Sequence, residues 1–125
     1  MAKSMTDADR SRFQARLEGL KSRLQQEIRD TLLRVDADRY ALLAEQVHDT
    51  KDHSIAQLLV ETGNAEIQRD AMELDDTRQA LERLHNGRYG SCVVCGAIIP
   101  DARLDAYPTA KRCLPCQTSH ERNRR

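Results

Sequence analysis

Apolar residues in the first third of the chain recur at intervals of three and four, which is the spacing of one face of an α-helix. No proline interrupts this stretch, and most intervening positions are polar or charged. The apolar stripe is narrow, so it predicts a long helix that packs against a single partner. Its members are Phe13, Leu17, Leu20, Leu24, Ile28, Thr31 with Leu32, Val35 and, seven positions later, Leu42.

A second narrow stripe predicts a second helix of the same kind. Its members are Ile67, Ala71, Leu74, Thr77 with Arg78, Leu81 and Leu84. Two such stripes on one chain can bury each other as an antiparallel pair. Helices of about thirty residues would each run about 45 Å. The predicted fold is therefore mostly α-helical, with a long antiparallel helical hairpin, or coiled coil, as its main element.

A polar segment at residues 48–54 separates the two stripes. It cannot continue an apolar seam, so we expect the chain to reverse there and to carry Asp49 and Asp52 at the far end of the hairpin. Two starts for the second helix stay open. Apolar residues at helical spacing favour a start near Asp52, with a weak point at Gly63, because glycine costs about 1 kcal/mol in a helix. The alternative is a start at Asn64, as the N-cap.

The charges are balanced overall but not along the chain. Twenty Lys plus Arg match twenty Asp plus Glu, which argues against a protein that coats nucleic acid or an anionic membrane. Up to residue 85 there are thirteen basic and seventeen acidic residues, and beyond it seven and three. All cysteines and prolines also fall in the basic part. We predict a coiled coil over residues 1–86, with an acidic tip at 49–54, and a C-terminal module over 87–125.

Composition and targeting signals indicate a cytoplasmic protein. Only one Phe and three Tyr are present, which is too few aromatics for a broad core. No apolar run reaches the eighteen or so residues that a membrane span requires, and the start lacks the apolar stretch of a signal peptide. Cysteines in a reducing compartment are thiols or metal ligands rather than disulfides.

The four cysteines form two short pairs, Cys92-x2-Cys95 and Cys113-x2-Cys116, separated by seventeen residues. This spacing is typical of a structural Zn²⁺ held by four thiolates. A redox dithiol is the first alternative, but the chain lacks the strand and helix around such a motif. A catalytic zinc is the second, but it requires an open coordination position. His85 and His120 flank the pairs as substitute ligands, and a short helix is predicted to follow Pro115.

The residues around these cysteines form a longer pattern. It comprises Tyr89-Gly90-x-Cys92-x-x-Cys95-Gly96, Ile99, Arg103-Leu104-x-Ala106, Pro108-Thr109-Ala110 and Cys113-x-x-Cys116-Gln117. This pattern closely resembles the zinc-finger signature of the DksA/TraR family of bacterial transcription factors. The resemblance extends back to the acidic segment and covers roughly residues 49 to 120, whereas the first forty residues match only in helical character.

The resemblance implies a regulator that binds RNA polymerase directly, is not an enzyme, and inserts its coiled-coil tip into the secondary channel to change promoter complexes. The family's tip pattern Asp-x-x-Asp-x-Ala corresponds to Asp49, Asp52 and Ser54 here, with serine in place of alanine. An alternative interpretation remains, in which one of the two aspartates only caps the N-terminus of the second helix.

The resemblance also bears on guanosine tetraphosphate, an alarmone that several family members help to bind. A site for its phosphates needs cations. Positions that tend to be basic in alarmone-responsive members are Asp76, Tyr107 and Gln117 here, and Arg69 alone remains as a candidate contact. The sequence therefore favours action without the alarmone.

Two further functions compete with the polymerase-binding interpretation. The C-terminal residues Arg122, Arg124 and Arg125 suggest a DNA-binding finger, although no sequence-specific DNA binding is expected of a neutral chain. An acidic tip could also promote transcript cleavage, as in other secondary-channel factors. The default oligomeric state is a monomer, because the two seams satisfy each other, although a coiled coil of this length could dimerise.

Overall fold

The computed structural model describes residues 5–49 and 53–123, without the side chains of Asp49 and His53. The described residues form helices and turns, with one isolated antiparallel bridge between Ser91 and Ile98 and no strand. This confirms the mostly α-helical prediction. The helices are α1 (Asp7–Glu45), a 3₁₀ helix (Val47–Asp49), α2 (His53–Glu61), α3 (Ala65–His85), α4 (Asp101–Ala106) and α5 (Leu114–Asn123).

The chain forms two compact units. One contains residues 1–18 and 79–125, and the other contains residues 19–78. We call them the finger unit and the bundle unit. Helices α1 and α3 each contribute to both. Helix α3 ends at His85, as the sequence predicted, while the assignment of 1–86 and 87–125 as separate domains stays a prediction. Among the described helices, none is long and apolar enough to cross a membrane.

The core of the bundle unit contains part of each predicted stripe. Leu24, Ile28 and Leu32 of α1 are at most 1% exposed, as are Ile67 and Leu74 of α3. Later parts of the chain complete this core with Tyr40, Ala44, Val47, Ile55 and Leu59. The bundle unit thus buries residues from four helical segments rather than from two helices alone.

The prediction that the first stripe is buried is correct as far as Leu32 and wrong beyond it. Val35 is 51% exposed and Leu42 is 67% exposed. The cause is Asp36, whose backbone leaves the helical region at φ −163° and ψ 94°. Its carboxylate accepts a hydrogen bond from the backbone N–H of Arg39 at 3.0 Å, which is the geometry of an N-cap. Residues after Asp36 therefore form a new helical segment with a different buried face.

The predicted second helix is two helices in the structure, one beginning near each of the two starts that the sequence left open. Helix α2 starts at His53 and ends at Glu61, and α3 starts at Ala65. Between them Gly63 adopts φ +70°, a left-handed conformation that glycine adopts without the strain a side chain would add. The side-chain oxygen of Asn64 accepts a hydrogen bond from the N–H of Ile67 at 2.9 Å. Asn64 is thus the N-cap of α3, as the alternative proposed.

His48, the first residue of the polar segment, does not lie beyond the end of the first stripe, where we expected it. The side-chain Nε2 of Gln25 lies 3.4 Å from the carbonyl oxygen of His48. Gln25 precedes the break at Asp36 by eleven residues, or about 16 Å of helix. The segment after Asp36 therefore returns along the first part of α1. Residues 50–52, which include the predicted tip residue Asp52, lie outside the described residues.

The finger unit has its own core, in which Phe13 and Leu17 of α1 contact Ala80 and Leu84 of α3. The residues that follow α3 complete this core with Tyr89, Ile99 and Leu104. Polar contacts reinforce it, because Arg10 donates to the carbonyl oxygen of Leu84 at 3.2 Å. The C-terminal module is thereby attached to the helical ends that precede it.

Candidate metal centre

The first cysteine pair lies on a tight loop made by backbone hydrogen bonds. The N–H of Cys92 donates to Ala97 O at 2.8 Å, and the N–H of Gly96 donates back to Cys92 O at 2.9 Å. Gly96 has φ +76°, which lets the chain turn sharply after Cys95. The sequence therefore folds this segment so that both sulfurs face the same side.

The second pair lies at the start of α5. Cys113 directly precedes the helix, and its carbonyl oxygen accepts the N–H of Gln117 at 2.9 Å. Cys116 lies in the first turn, three positions on, which places its side chain near that of Cys113. The two pairs are held together by the N–H of Val93, which donates to Lys111 O at 2.8 Å.

The four sulfurs converge as the spacing predicted. All lie within 4.8 Å of one another, and the Sγ atoms of Cys95 and Cys113 are 3.7 Å apart. Tetrahedral Zn²⁺ with Zn–S bonds of about 2.3 Å would place its thiolates about 3.8 Å apart. The donor set and its spacing thus fit a closed four-thiolate site. Among the described residues, the histidines do not join this cluster.

The cysteines differ in exposure and in their tendency to ionise. Cys92 and Cys113 are buried, while Cys95 is exposed. Burial opposes ionisation of Cys92, but backbone N–H groups of Cys95, Cys113 and Val94 outweigh it and lower the pKa of this thiol to about 6. Hydrogen bonding with Cys113 and burial raise the pKa of Cys116 to about 12. Sulfurs this close together oppose one another's ionisation, and a bound cation would relieve that opposition.

Side chains outside the cysteine pairs support this loop. Tyr89 is 7% exposed, and its hydroxyl donates to Pro108 O at 2.7 Å. Burial raises the pKa of Tyr89 to about 12, so the hydroxyl stays protonated and remains a donor. The Nε of Arg103 donates to Arg112 O at 3.2 Å, just before Cys113. Sequence reasoning noted Tyr89 and Arg103 only as parts of a family pattern and did not assign them these roles.

Asp49, Ser54 and Arg69, the other predicted site residues that the structure describes, belong to the bundle unit. Asp49 ends the 3₁₀ helix, and Ser54 is exposed in α2. Arg69 is exposed on α3, next to the buried Asp70. Sequence reasoning missed Asp36 as the residue that breaks α1, although aspartate is a favoured N-cap and was a usable signal.

Comparisons with known proteins identify the family of this chain. The model of the prokaryotic dksA/traR C4-type zinc finger matches residues 87–122, which contain all four cysteines. A curated RNA polymerase-binding transcription factor DksA from Caulobacter vibrioides is 32% identical over 123 residues, covering 97% of this chain and 82% of the relative. The chain belongs to the DksA/TraR family.

Two further comparisons give one similar structure and one similar sequence. The solved structure of the RNA polymerase binding protein and transcriptional regulator Dks from Chlamydia trachomatis has a TM-score of 0.56 and 23% identity, and the match covers 95% of this chain and 94% of that one. That likeness supports the fold. An uncharacterised protein from Aquifex aeolicus is 38% identical over 66 residues, or 53% of this chain and 43% of that protein.

Proposed function

We propose that this chain is a transcription regulator that binds RNA polymerase directly and is not an enzyme. The observation that carries the proposal is the match along 97% of the chain to a protein named RNA polymerase-binding transcription factor DksA. The four converging thiols support it, because they fit the C4-type finger of that family. A partly acidic chain with no net charge is suited to a protein partner rather than to free DNA.

In this proposal, the segment at residues 49–54 enters the secondary channel of the polymerase. Asp49 and Asp52 then act near the catalytic Mg²⁺, since carboxylate oxygens are hard ligands that suit magnesium or pair with arginine. Ser54 occupies the position of the family's alanine and adjusts the packing of the tip. The result is a changed lifetime of promoter complexes.

The finger would hold one structural Zn²⁺ through Cys92, Cys95, Cys113 and Cys116. When bound, the metal supplies a cross-link between the two cysteine pairs and takes no part in chemistry. The residues of the chain then do the remaining work: backbone N–H groups stabilise the Cys92 thiolate, and Tyr89 joins the finger to its core. We further propose a cytoplasmic monomer.

Action without guanosine tetraphosphate is the mode we propose. Tyr107 is 63% exposed and uncharged, and Gln117 hydrogen-bonds with Arg112 and Glu121. Arg69 is then the candidate cation for a phosphate. Titration of the alarmone into a promoter assay, with and without the protein, tests this mode. Clear synergy would show that the alarmone is a partner.

The decisive experiment is co-purification with core RNA polymerase, followed by competition with another secondary-channel factor. We expect a complex that the competitor displaces. Asp52→Asn and Asp49→Asn should retain binding and lose regulation at a sensitive promoter. Asp38→Asn is the matched control, because Asp38 is an exposed acid of α1 outside the tip. Unchanged regulation in Asp52→Asn, with helix content and zinc intact, would refute the role of the tip.

Two assays separate the competing functions. Shortened RNA in a stalled elongation complex would indicate a transcript-cleavage factor. A salt-dependent gel shift on free DNA, without polymerase, would indicate a DNA-binding finger. We expect neither result.

A further inference from the structure

Two breaks in the helices of the bundle unit lie side by side. Asp36 interrupts α1, and Gly63 separates α2 from α3. The guanidinium of Arg34, two positions before the first break, lies 3.1 Å from the carboxylate of Glu66, three positions after the second. Both arms of the predicted hairpin therefore bend at the same level.

Each break is made by local chemistry that competes with a continuous helix. Asp36 caps the segment that follows it, and Asn64 caps α3. The side-chain Nε2 of Gln68 also donates to Val60 O at 2.9 Å across the second break. These bonds satisfy backbone groups that a helix end would otherwise leave without partners. A continuous helix would satisfy the same groups by its own ladder, so neither arrangement leaves them without partners.

The segment that follows Asp36 carries apolar residues on two sides. Tyr40, Ala44 and Val47 form the face that is buried in the structure. Leu42 lies about 200° around the helix from Tyr40, on the opposite face, and is 67% exposed. Leu42 is also the residue that continues the seven-residue spacing of the first stripe from Val35. One face fits the folded-back arrangement, and the other fits an uninterrupted coiled coil.

We propose that the bundle unit interconverts between the folded-back state seen here and an extended state. In the extended state, α1 runs without a break through Asp36, and α2 continues into α3 through Gly63. Val35 and Leu42 then join the apolar seam that their spacing predicts. Two discrete packings of one sequence at a pair of helix breaks are a known basis for a switch.

The switch would control the polymerase contact, and this part rests on the proposed function. Folded back, the Val47–Asp49 helix lies beside Gln25, part-way along α1. Extended, the same residues would lie about 30 Å farther along, since twenty helical residues separate Gln25 from Glu45. Only the extended state would carry the Val47–Asp49 helix to the far end of a hairpin that can reach into a channel.

Distance measurement between Ser22 and Glu45 reports the two states directly. Both residues are exposed on α1, on opposite sides of Asp36. Spin labels on noncanonical amino acids leave the cysteines free for metal. A continuous helix would separate the two positions by about 35 Å, whereas the folded-back state brings them within about 20 Å. We expect both distances in the unmodified full chain.

Two substitutions should shift this equilibrium toward the long distance. Gly63→Ala removes the residue that adopts φ +70°, and its added Cβ would meet nothing within 4 Å. Asp36→Ala removes the cap. Together they should raise the ratio of long to short distances by at least about tenfold, because alanine favours the helix at both positions. Gly63→Ala alone should act in the same direction, and it makes no new contact that would impair folding.

Gly19→Ala is the matched control, because Gly19 lies inside α1 and an added Cβ there also meets nothing within 4 Å. It raises helix propensity without touching a break, so it should leave the distances unchanged. A single short distance in the unmodified chain and in both variants would overturn the proposal, as would an equal shift in the Gly19→Ala control. A single long distance throughout would overturn it as well.

Adding core RNA polymerase distinguishes the switch from the proposed function. If the protein co-purifies with polymerase and the population at the long distance increases, both the switch and the proposed function are supported. Binding with the short distance retained would overturn the link between extension and binding. No binding, with the variants still shifting the distance, would overturn the proposed function and leave the conformational switch supported.

Discussion

The hydroxyl of Tyr89 donates a hydrogen bond to the carbonyl oxygen of Pro108 at 2.7 Å, nineteen residues farther along the chain. The Tyr89 ring also lies 5.4 Å, centroid to centroid, from the ring of Phe13 in α1. One side chain thus connects the loop between the cysteine pairs to the helical part of the finger unit. The stability of the finger should therefore depend on residues remote from the metal.

Tyr89→Phe should reduce the free energy of unfolding by about 1–2 kcal/mol, because the partly buried Pro108 carbonyl loses its donor while the ring packing is kept. Chemical denaturation of the zinc-loaded protein measures the difference. Tyr107→Phe is the matched control, since that ring is 63% exposed. Equal effects of the two substitutions would contradict the role given to the buried hydroxyl.

The Tyr89 hydroxyl should lose its proton only at a pH above the ordinary range for tyrosine. Burial raises the pKa of Tyr89 to about 12. The native state keeps this proton at pH values where the unfolded chain, with a tyrosine pKa of about 10, has lost it. The contribution of Tyr89 to stability is therefore complete below about pH 10 and falls as the pH rises toward 12. The difference in tyrosinate absorbance between wild type and Tyr89→Phe should have its midpoint near 12, and a midpoint near 10 would refute the burial argument.

Phe13→Ala should lower the free energy of unfolding more than the loss of an ion pair in the same unit does. Phe13 is fully buried in the finger unit, and truncation of a buried phenylalanine costs about 3–5 kcal/mol. Asp105→Asn offers a contrast. Its carboxylate lies 2.6 Å from the Arg12 guanidinium, but both side chains are almost half exposed. Solvent screens such a pair, so thermal unfolding should show a much smaller effect, which weakens further at high salt.

Much of this architecture could be predicted from local signals. The cysteine pairs converge because their spacing and the glycine after Cys95 constrain the loop. The stripe up to Leu32 packs into the two cores because its members share one face of an unbroken helix. Val35 and Leu42 were predicted wrongly because periodicity alone does not register a cap at Asp36. The energy of one capping bond is comparable to that of continued helix, so this choice depends on tertiary packing.

Metal removal should affect the two units differently. Tyr89, Ile99 and Leu104 belong to the core of the finger unit, so loss of the cysteine cross-link should loosen that core. Chelation should increase amide hydrogen exchange in residues 89–104 and in the first turns of α1. Amides near Ile28 and Leu74 should change little, because they lie in the separate core of the bundle unit.

Cys113→Ser provides the control for this prediction. It should bind well under one equivalent of zinc and should show the fast exchange without chelator, with no further change when chelator is added. Uniformly faster exchange in both units after chelation would contradict the separation of the two cores. Unchanged exchange in residues 89–104 would contradict a structural role for the metal.

Asp70 should destabilise the bundle unit at neutral pH. Its side chain is 8% exposed on α3. Burial is the largest cause that raises its pKa, followed by the nearby carboxylates of Glu27 and Glu66, while Arg69 lowers it in part. Ionised Asp70 is thus opposed both by its surroundings and by like charge. We expect Asp70→Asn to raise the thermal midpoint at pH 7, since the amide fits the same volume without a charge.

The sign of the pH dependence follows from the raised pKa. Native Asp70 keeps its proton at pH values where the unfolded chain, with an ordinary pKa of 3.8, has lost it. Its contribution to stability is therefore greatest in acid and falls as the pH rises above about 4. The advantage of Asp70→Asn over wild type should grow across that range and then level off. Glu82→Gln, at an exposed position of α3, should show no such growth. A pH-independent difference would mean that burial of the charge is not the cause.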